Sequence, residues 1–223
     1  MVSFLLRRVS RRGLCGMINS LSYLYPMTVR REMPYKEGIY FITFTCYKWL
    51  SLIGIANAYT EVYKQFDVLK AEGHYIIGYV IMPNHVHALL GMRDTGKRIN
   101  QRIGTMKRFL AYELVQRLTK AGKNDILEEL AKGVTNTDKN RGKLHQVFEP
   151  SFDCKECFSE EMIIQKLDYM HSNPCKGVWH LVDSPVDYKY SSALYYITGE
   201  EGLYPVTNYM ELADIDLTKK RNE

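Results

Sequence analysis

The elements suggested by the apolar pattern follow the order β-α-β-β-α-β. That order predicts a ferredoxin-like α+β fold: an antiparallel sheet of about four strands, helices packed on one face, and a C-terminal helical extension. Two observations carry the expectation. Three runs are rich in β-branched and aromatic residues, the second and third joined by the turn signal Pro83-Asn84. Two stretches of helical periodicity follow the first and third of these runs.

Taken in order, Ile39-Tyr40-Phe41-Ile42-Thr43-Phe44-Thr45-Cys46 is the first strand. Asn57 to Leu69 sets Ala58, Val62, Phe66 and Leu69 at helical spacing, and Gly73 supplies a stop. His74 to Met82 is the second strand, and His85 to Met92 returns antiparallel as the third. Ile99 to Leu118 reads as a basic amphipathic helix: Ile103, Met106, Phe109, Leu110, Leu114 and Leu118 on one side, Arg102, Lys107, Arg108 and Arg117 away from it. Lys120 to Lys143 is polar and reads as an insertion or mobile loop, with a short helical possibility at Ile126 to Leu130. Val147-Phe148 is the candidate fourth strand. Ser159 to Ser172 forms a further helix, with Ser159 as N-cap, Glu160 and Glu161 in its first turn and Pro174 beyond its end. Ser191 to Thr198 is a short terminal helix.

The chain has 223 residues, 46% hydrophobic and 25% charged, which is the balance of a folded domain rather than a disordered chain. The apolar run from Tyr75 to Leu90 is interrupted by Pro83, Asn84, His85 and His87, so no membrane span is expected. Thirty Lys and Arg against twenty-five Asp and Glu give +5, a mild bias that permits a polyanionic partner without requiring one. The first thirty-one residues carry no acid but several arginines, consistent with an organellar targeting peptide or with translation that truly starts at Met27 or Met33. Residues 1–34 are therefore set apart as peripheral, 35–200 as the domain and 201–223 as a tail. Five cysteines at irregular spacing argue against a disulfide framework. Cys154-x-x-Cys157 has no second pair at zinc-site spacing, so reduced, unliganded thiols are expected.

In His85-Val86-His87 the two imidazoles, two residues apart on a strand, project to one face, while Val86 projects to the other. Such a pair can chelate a divalent metal if a neighbouring element supplies a third ligand; ordinary hydrogen-bonded histidines are the alternative. Tyr169 and Asn173, four apart, share one side of a helix that Leu167 and Met170 can anchor to a sheet. A phenol beside a metal can attack a phosphodiester, and the Asn173 carboxamide oxygen can supply the third ligand. A packing tyrosine and a helix-terminal asparagine are the alternative.

Tyr79-Val80-Ile81-Met82-Pro83-Asn84-His85-Val86-His87-Ala88-Leu89-Leu90 resembles the His-hydrophobe-His block of single-tyrosine HUH transposases. Asp168-Tyr169-Met170-His171-Ser172-Asn173-Pro174-Cys175-Lys176-Gly177-Val178 resembles the tyrosine block of one branch, the REP-associated tyrosine transposases. Tyr188-Lys189-Tyr190-Ser191-Ser192-Ala193 is similar to the aromatic-Ser-Ser segment that closes those proteins. The resemblance spans roughly Tyr40 to Tyr196. It implies the same fold and a nuclease that cleaves and rejoins single-stranded hairpin DNA through a 5′-phosphotyrosine. By position it implies Tyr169 as nucleophile and His85, His87 and Asn173 as ligands of Mg²⁺ or Mn²⁺, the latter suiting mixed nitrogen and oxygen donors. Tyr112 is the competing nucleophile, but position +4 from it is Gln116 rather than Asn.

Arg98, Arg102, Lys107, Arg108 and Arg117 form a basic series expected to contact DNA phosphates. The partners expected are single-stranded or hairpin DNA, with a homodimer possible and no membrane. A bacterial cytoplasmic, nucleoid-associated location fits the resemblance. Two other readings stand beside the transposase: a domesticated hairpin-binding protein without catalysis, and a metal hydrolase in which water attacks.

Overall fold

In the computed structural model, residues 37–177 and 179–219 are described. The expected order is present. The strands are β1 (Gly38–Thr45), β2 (Tyr75–Ile81), β3 (His85–Met92) and β4 (Asp153–Glu156). The helices are α1 (Leu52–Ile55), α2 (Tyr59–Ala71), α3 (Ile99–Lys120), α4 (Asn124–Lys132), α5 (Asn136–Lys139), α6 (Glu160–His171) and α7 (Ala193–Thr198). The sheet runs β2-β3-β1-β4 with every neighbouring pair antiparallel, the strand order of the ferredoxin-like arrangement.

The helices cover both faces of this sheet rather than one. Tyr40, Ile42 and Phe44 of β1 and Val86, Ala88, Leu90 and Met92 of β3 pack with α2 and α3 in one apolar cluster. Phe41, Val80 and Leu89 pack with Ile163, Leu167 and Met170 of α6 in the other. The cause is visible in the strands. Apart from its histidines β3 is apolar at nearly every position and is buried along all eight residues, whereas a sheet with one wet face alternates apolar and polar side chains. Gly78 makes the second docking possible, because a Cβ there would lie 2.6 Å from Leu167 Cδ2 and 3.1 Å from Met170 Cε.

Three expectations are corrected. The fourth strand is Asp153–Glu156, which pairs with β1 from Thr43↔Asp153 to Tyr40↔Glu156. Val147 and Phe148 are buried, but Phe148 makes only an isolated bridge to Cys46. An edge strand is chosen by its backbone hydrogen bonds, so its side chains need not be apolar. The polar stretch after α3 is not a loop, because α4 buries Leu130 and sets Ile126 and Leu127 against the core. Residues 204–217 are not a loose tail either. Tyr204 stacks on Tyr63 at 5.0 Å and donates to Asp67 Oδ1 at 2.8 Å, Leu212 covers Gly91, and the Asp94 amide donates to the Leu217 carbonyl. The expected N-terminal segment, residues 1–34, lies outside the described residues. Among the described residues no helix is long and apolar enough to cross a membrane.

Candidate active site

Strand alternation sends His85, His87 and Leu89 to the α6 face. The imidazoles occupy the end of β3 next to the Pro83-Asn84 turn, which the Met82 amide closes on the His85 carbonyl at 2.8 Å. Each ring is oriented from behind. Asn84 Oδ1 lies 2.7 Å from His85 Nδ1 and, being an acceptor, requires the proton on that nitrogen. Thr43 Oγ1, directly across the β1–β3 ladder, lies 2.7 Å from His87 Nδ1. With Nδ1 engaged, both Nε2 atoms are turned toward the Asn173 amide. Outer partners of this kind fix the tautomer and direction of metal-binding histidines.

Burial keeps both rings neutral. It pulls the His85 pKa down to about 4. For His87 burial again acts first, with the neighbouring His85 and Lys166 adding to it, and the value falls well below the usual imidazole range. Neutral imidazoles are the ligand-competent form.

The end of the tyrosine helix completes the group: α6 stops at His171, and Asn173 opens the short 3-10 turn Asn173–Cys175 that follows Ser172. The Asn173 amide lies 2.9 Å from His87 Nε2 and 3.5 Å from His85 Nε2. It faces them with its nitrogen, and a half-turn of the carboxamide would bring its oxygen to the same place. Among the described residues no three His, Cys, Asp or Glu side chains are grouped as a metal site; the third group at the imidazoles is this amide. Two converging Nε2 atoms and a carboxamide fit a divalent ion with mixed nitrogen and oxygen preference. The Tyr169 ring stands edge-on to His87 at 5.3 Å and is about half exposed. Thus His85, His87, Asn173 and Tyr169, drawn from positions far apart in the chain, meet at one end of the sheet.

The third segment singled out in the sequence holds this helix in place. Residues 188–192 run along the free edge of β2: Ile81 N donates to the Tyr190 carbonyl at 2.9 Å, and Ser192 N to that of Tyr79 at 3.0 Å. Ser192 Oγ accepts from the Tyr79 amide and lies 2.8 Å from His171 Nε2. One hydroxyl therefore ties α6, two residues from Tyr169, to the central sheet.

Sequence reasoning passed over several neighbours. Thr43 and Asn84 orient the imidazoles. Lys166 holds its ammonium 5.2 Å from the Phe41 ring and 6.0 Å from that of Tyr169. Trp49, 61% exposed, stands edge-on to His85 at 5.7 Å. Lys166 had a legible signal, one helical turn before Tyr169; Thr43 and Trp49 had none, since register and loop path bring them in.

Other expectations fare differently. Tyr112 is exposed on α3, across the sheet from the imidazoles, so it is outside the site. Cys154 packs with the α3-side cluster and Cys157 with the α6-side cluster; on opposite faces they form no joint ligand pair. The basic series is divided. Arg102 is buried, paired with Glu72 and donating to Thr95 Oγ1 at 3.1 Å. Lys107 is buried and donates to the carbonyls of Glu149 (2.7 Å) and Ser151 (3.0 Å). Arg117 pairs with Glu61 and donates to the Asn57 carbonyl. Arg102 and Lys107 are corrected from solvent-facing to internal, because they lie three and four residues from Ile99 and Ile103 on the inward stripe, whereas Arg117 is half-buried and held by Glu61. Arg98 and Arg108 are exposed. Arg108 lines an open groove of about 1140 Å³ between α3 and residues 141–155, with Arg141 and Lys155.

No family model matches this sequence, and no curated protein matches it. Among solved structures, the chain is similar to a REP-associated tyrosine transposase bound to a REP hairpin, at TM-score 0.50 and 17% identity, covering 86% of this chain and 98% of that one. It is also matched to a candidate transposase from Deinococcus radiodurans R1 at TM-score 0.33 and 17% identity, over 66% of this chain and 97% of that one. The first likeness establishes the class of fold, that of the tyrosine transposases.

Proposed function

We propose that this protein is a metal-dependent transposase/endonuclease that cleaves and rejoins single-stranded hairpin DNA through a covalent 5′-phosphotyrosine. The observation that supports it most is the meeting of Tyr169 with the His85–His87 pair and Asn173 in one chain. The transposase fold, and the hairpin bound by the similar REP-associated protein, make DNA the natural substrate class.

His85 and His87 would hold the ion through Nε2, and Asn173 through its carboxamide oxygen. Mg²⁺ or Mn²⁺ would supply charge neutralisation at the phosphate oxygens. Tyr169 sits beside this group on a half-exposed ring that an incoming strand can reach. Its oxygen forms a bond to phosphorus as the bond from phosphorus to the 3′ oxygen breaks. The tyrosyl proton leaves, and the departing 3′ oxygen takes one up. A returning 3′ hydroxyl reverses the exchange and rejoins the strand. Lys166, which no described carboxylate pairs with, holds a positive charge at the edge of Tyr169, where the phosphate anion must come. Arg98 and Arg108 are the exposed members of the basic series, placed to contact more distant phosphates.

The test is incubation of the full chain with labelled hairpin DNA carrying single-stranded flanks, with Mn²⁺, followed by denaturing electrophoresis. A covalent adduct is expected, lost in Tyr169→Phe and kept in Tyr112→Phe. Cleavage without an adduct would make the protein a water-dependent hydrolase; binding without cleavage would make it a hairpin-binding protein.

A further inference from the structure

We propose that Trp49 is a stacking platform for an unpaired nucleobase flanking the scissile phosphate, an inference that rests on the DNA-cleaving reading of the same site. An indole is the largest apolar side chain, yet this one is 61% exposed, and it is placed at the site rather than on an arbitrary surface. The rings of Trp49, His85, His87 and Tyr169 follow one another at 5.7, 4.7 and 5.3 Å. A strand whose phosphate reaches Tyr169 therefore brings a neighbouring base within reach of the indole.

The backbone is arranged to hold it there. Lys48 (φ 50°) and Trp49 (φ 58°) are consecutive non-glycine residues in the left-handed region, a conformation that L side chains disfavour. The surroundings enforce it: the Lys48 amide donates to Glu149 Oε1 at 2.9 Å, its ammonium pairs with Glu129 at 2.6 Å, and the Trp49 amide donates to the Cys46 carbonyl at 3.0 Å. Asn84 adds the link to the site, because its Nδ2 donates to the Trp49 carbonyl at 3.3 Å while its Oδ1 orients His85. One side chain thus sets both the imidazole and the indole. Strained backbone that presents an exposed aromatic ring beside a catalytic group is spent on ligand contact, and a nucleobase is the ligand with a π-face on every residue of the strand.

The chain has two tryptophans, Trp49 and Trp179, so Trp179→Phe leaves the first as the sole indole. The full-length Trp179→Phe protein is titrated with (dT)12, (dA)12 and a twelve-residue abasic strand, following indole emission, and binding is repeated with Trp49→Leu and Trp49→Phe added. The two base-bearing strands should quench the emission and the abasic strand should not. Trp49→Leu should weaken binding of the base-bearing strands by about 10- to 100-fold, with unchanged affinity for the abasic strand and unchanged melting; Trp49→Phe should recover affinity to within about 3-fold. Equal binding by Trp49→Leu, silent emission on binding, or no binding at all overturns the proposal. Silent emission in a protein that still forms the Tyr169 adduct removes the platform and leaves the nuclease; quenching without an adduct keeps the platform and removes the nuclease.

Discussion

The two faces of the sheet are built from the same strands and do opposite things. On the α2/α3 side Tyr40, Phe44, Phe66, Val86, Leu90 and Leu110 form a slab that is almost wholly apolar. On the α6 side the slab is apolar only at one end, around Ile77, Leu89, Ile163 and Leu167. Towards the β2–β3 turn it gives way to Thr43, His85, His87 and Asn173, polar groups that bond one another. Burying such groups costs stability unless each finds a partner. The first face therefore holds the fold together. The second accepts a polar patch in exchange for a positioned set of donors, and α6 carries both the packing and the chemistry of that face.

That contrast is open to direct attack. The largest effect should come from Phe66→Ala, which empties a fully buried position on the apolar face: a loss of about 3–5 kcal/mol in chemical denaturation, with adduct formation per folded molecule unchanged. Tyr169→Phe should do the reverse, abolishing the adduct while leaving the denaturation midpoint in place. Next, saturating Mn²⁺ should raise the melting temperature of the wild-type protein, by about 2–3 kcal/mol of stabilisation at a hundredfold excess over the dissociation constant, and should leave His87→Ala unmoved. The smallest effect falls where the two roles meet. Gly78→Ala drives a methyl group into Leu167 and Met170, costing about 1–3 kcal/mol. Because those residues seat α6, the rate of adduct formation should also fall, and a Gly78→Ala protein that is destabilised yet fully active would show that the seat and the chemistry are separable.

Much of the fold was legible, and the reasons are local. β1 to β3, α2 and α3 announce themselves through short-range periodicity, which the strands and helices keep almost residue for residue. α6 was equally plain, since Ser159 accepts from the Met162 amide as an N-cap should. β4 was misplaced because Asp153–Glu156 carries no apolar alternation and is recruited by the free edge of β1. The two-sided burial of the sheet was readable in the unbroken apolar stretch after His87, but its partner, α6, lies too far along the chain for spacing to connect them.

Sequence alone determined which side chains could act: a His-x-His pair on a strand shares one face because backbone geometry repeats every two residues, and Asn173 follows Tyr169 closely enough, one residue past the C-cap of α6, to reach the same place. Tertiary structure alone decided that these two pairs meet, that Thr43 and Asn84 aim the imidazoles, that Lys166 and Trp49 flank them, that Arg102 and Lys107 turn inward, and that Arg117 pairs with Glu61. Each of those outcomes depends on register and packing between segments far apart in the chain, and no local periodicity encodes them.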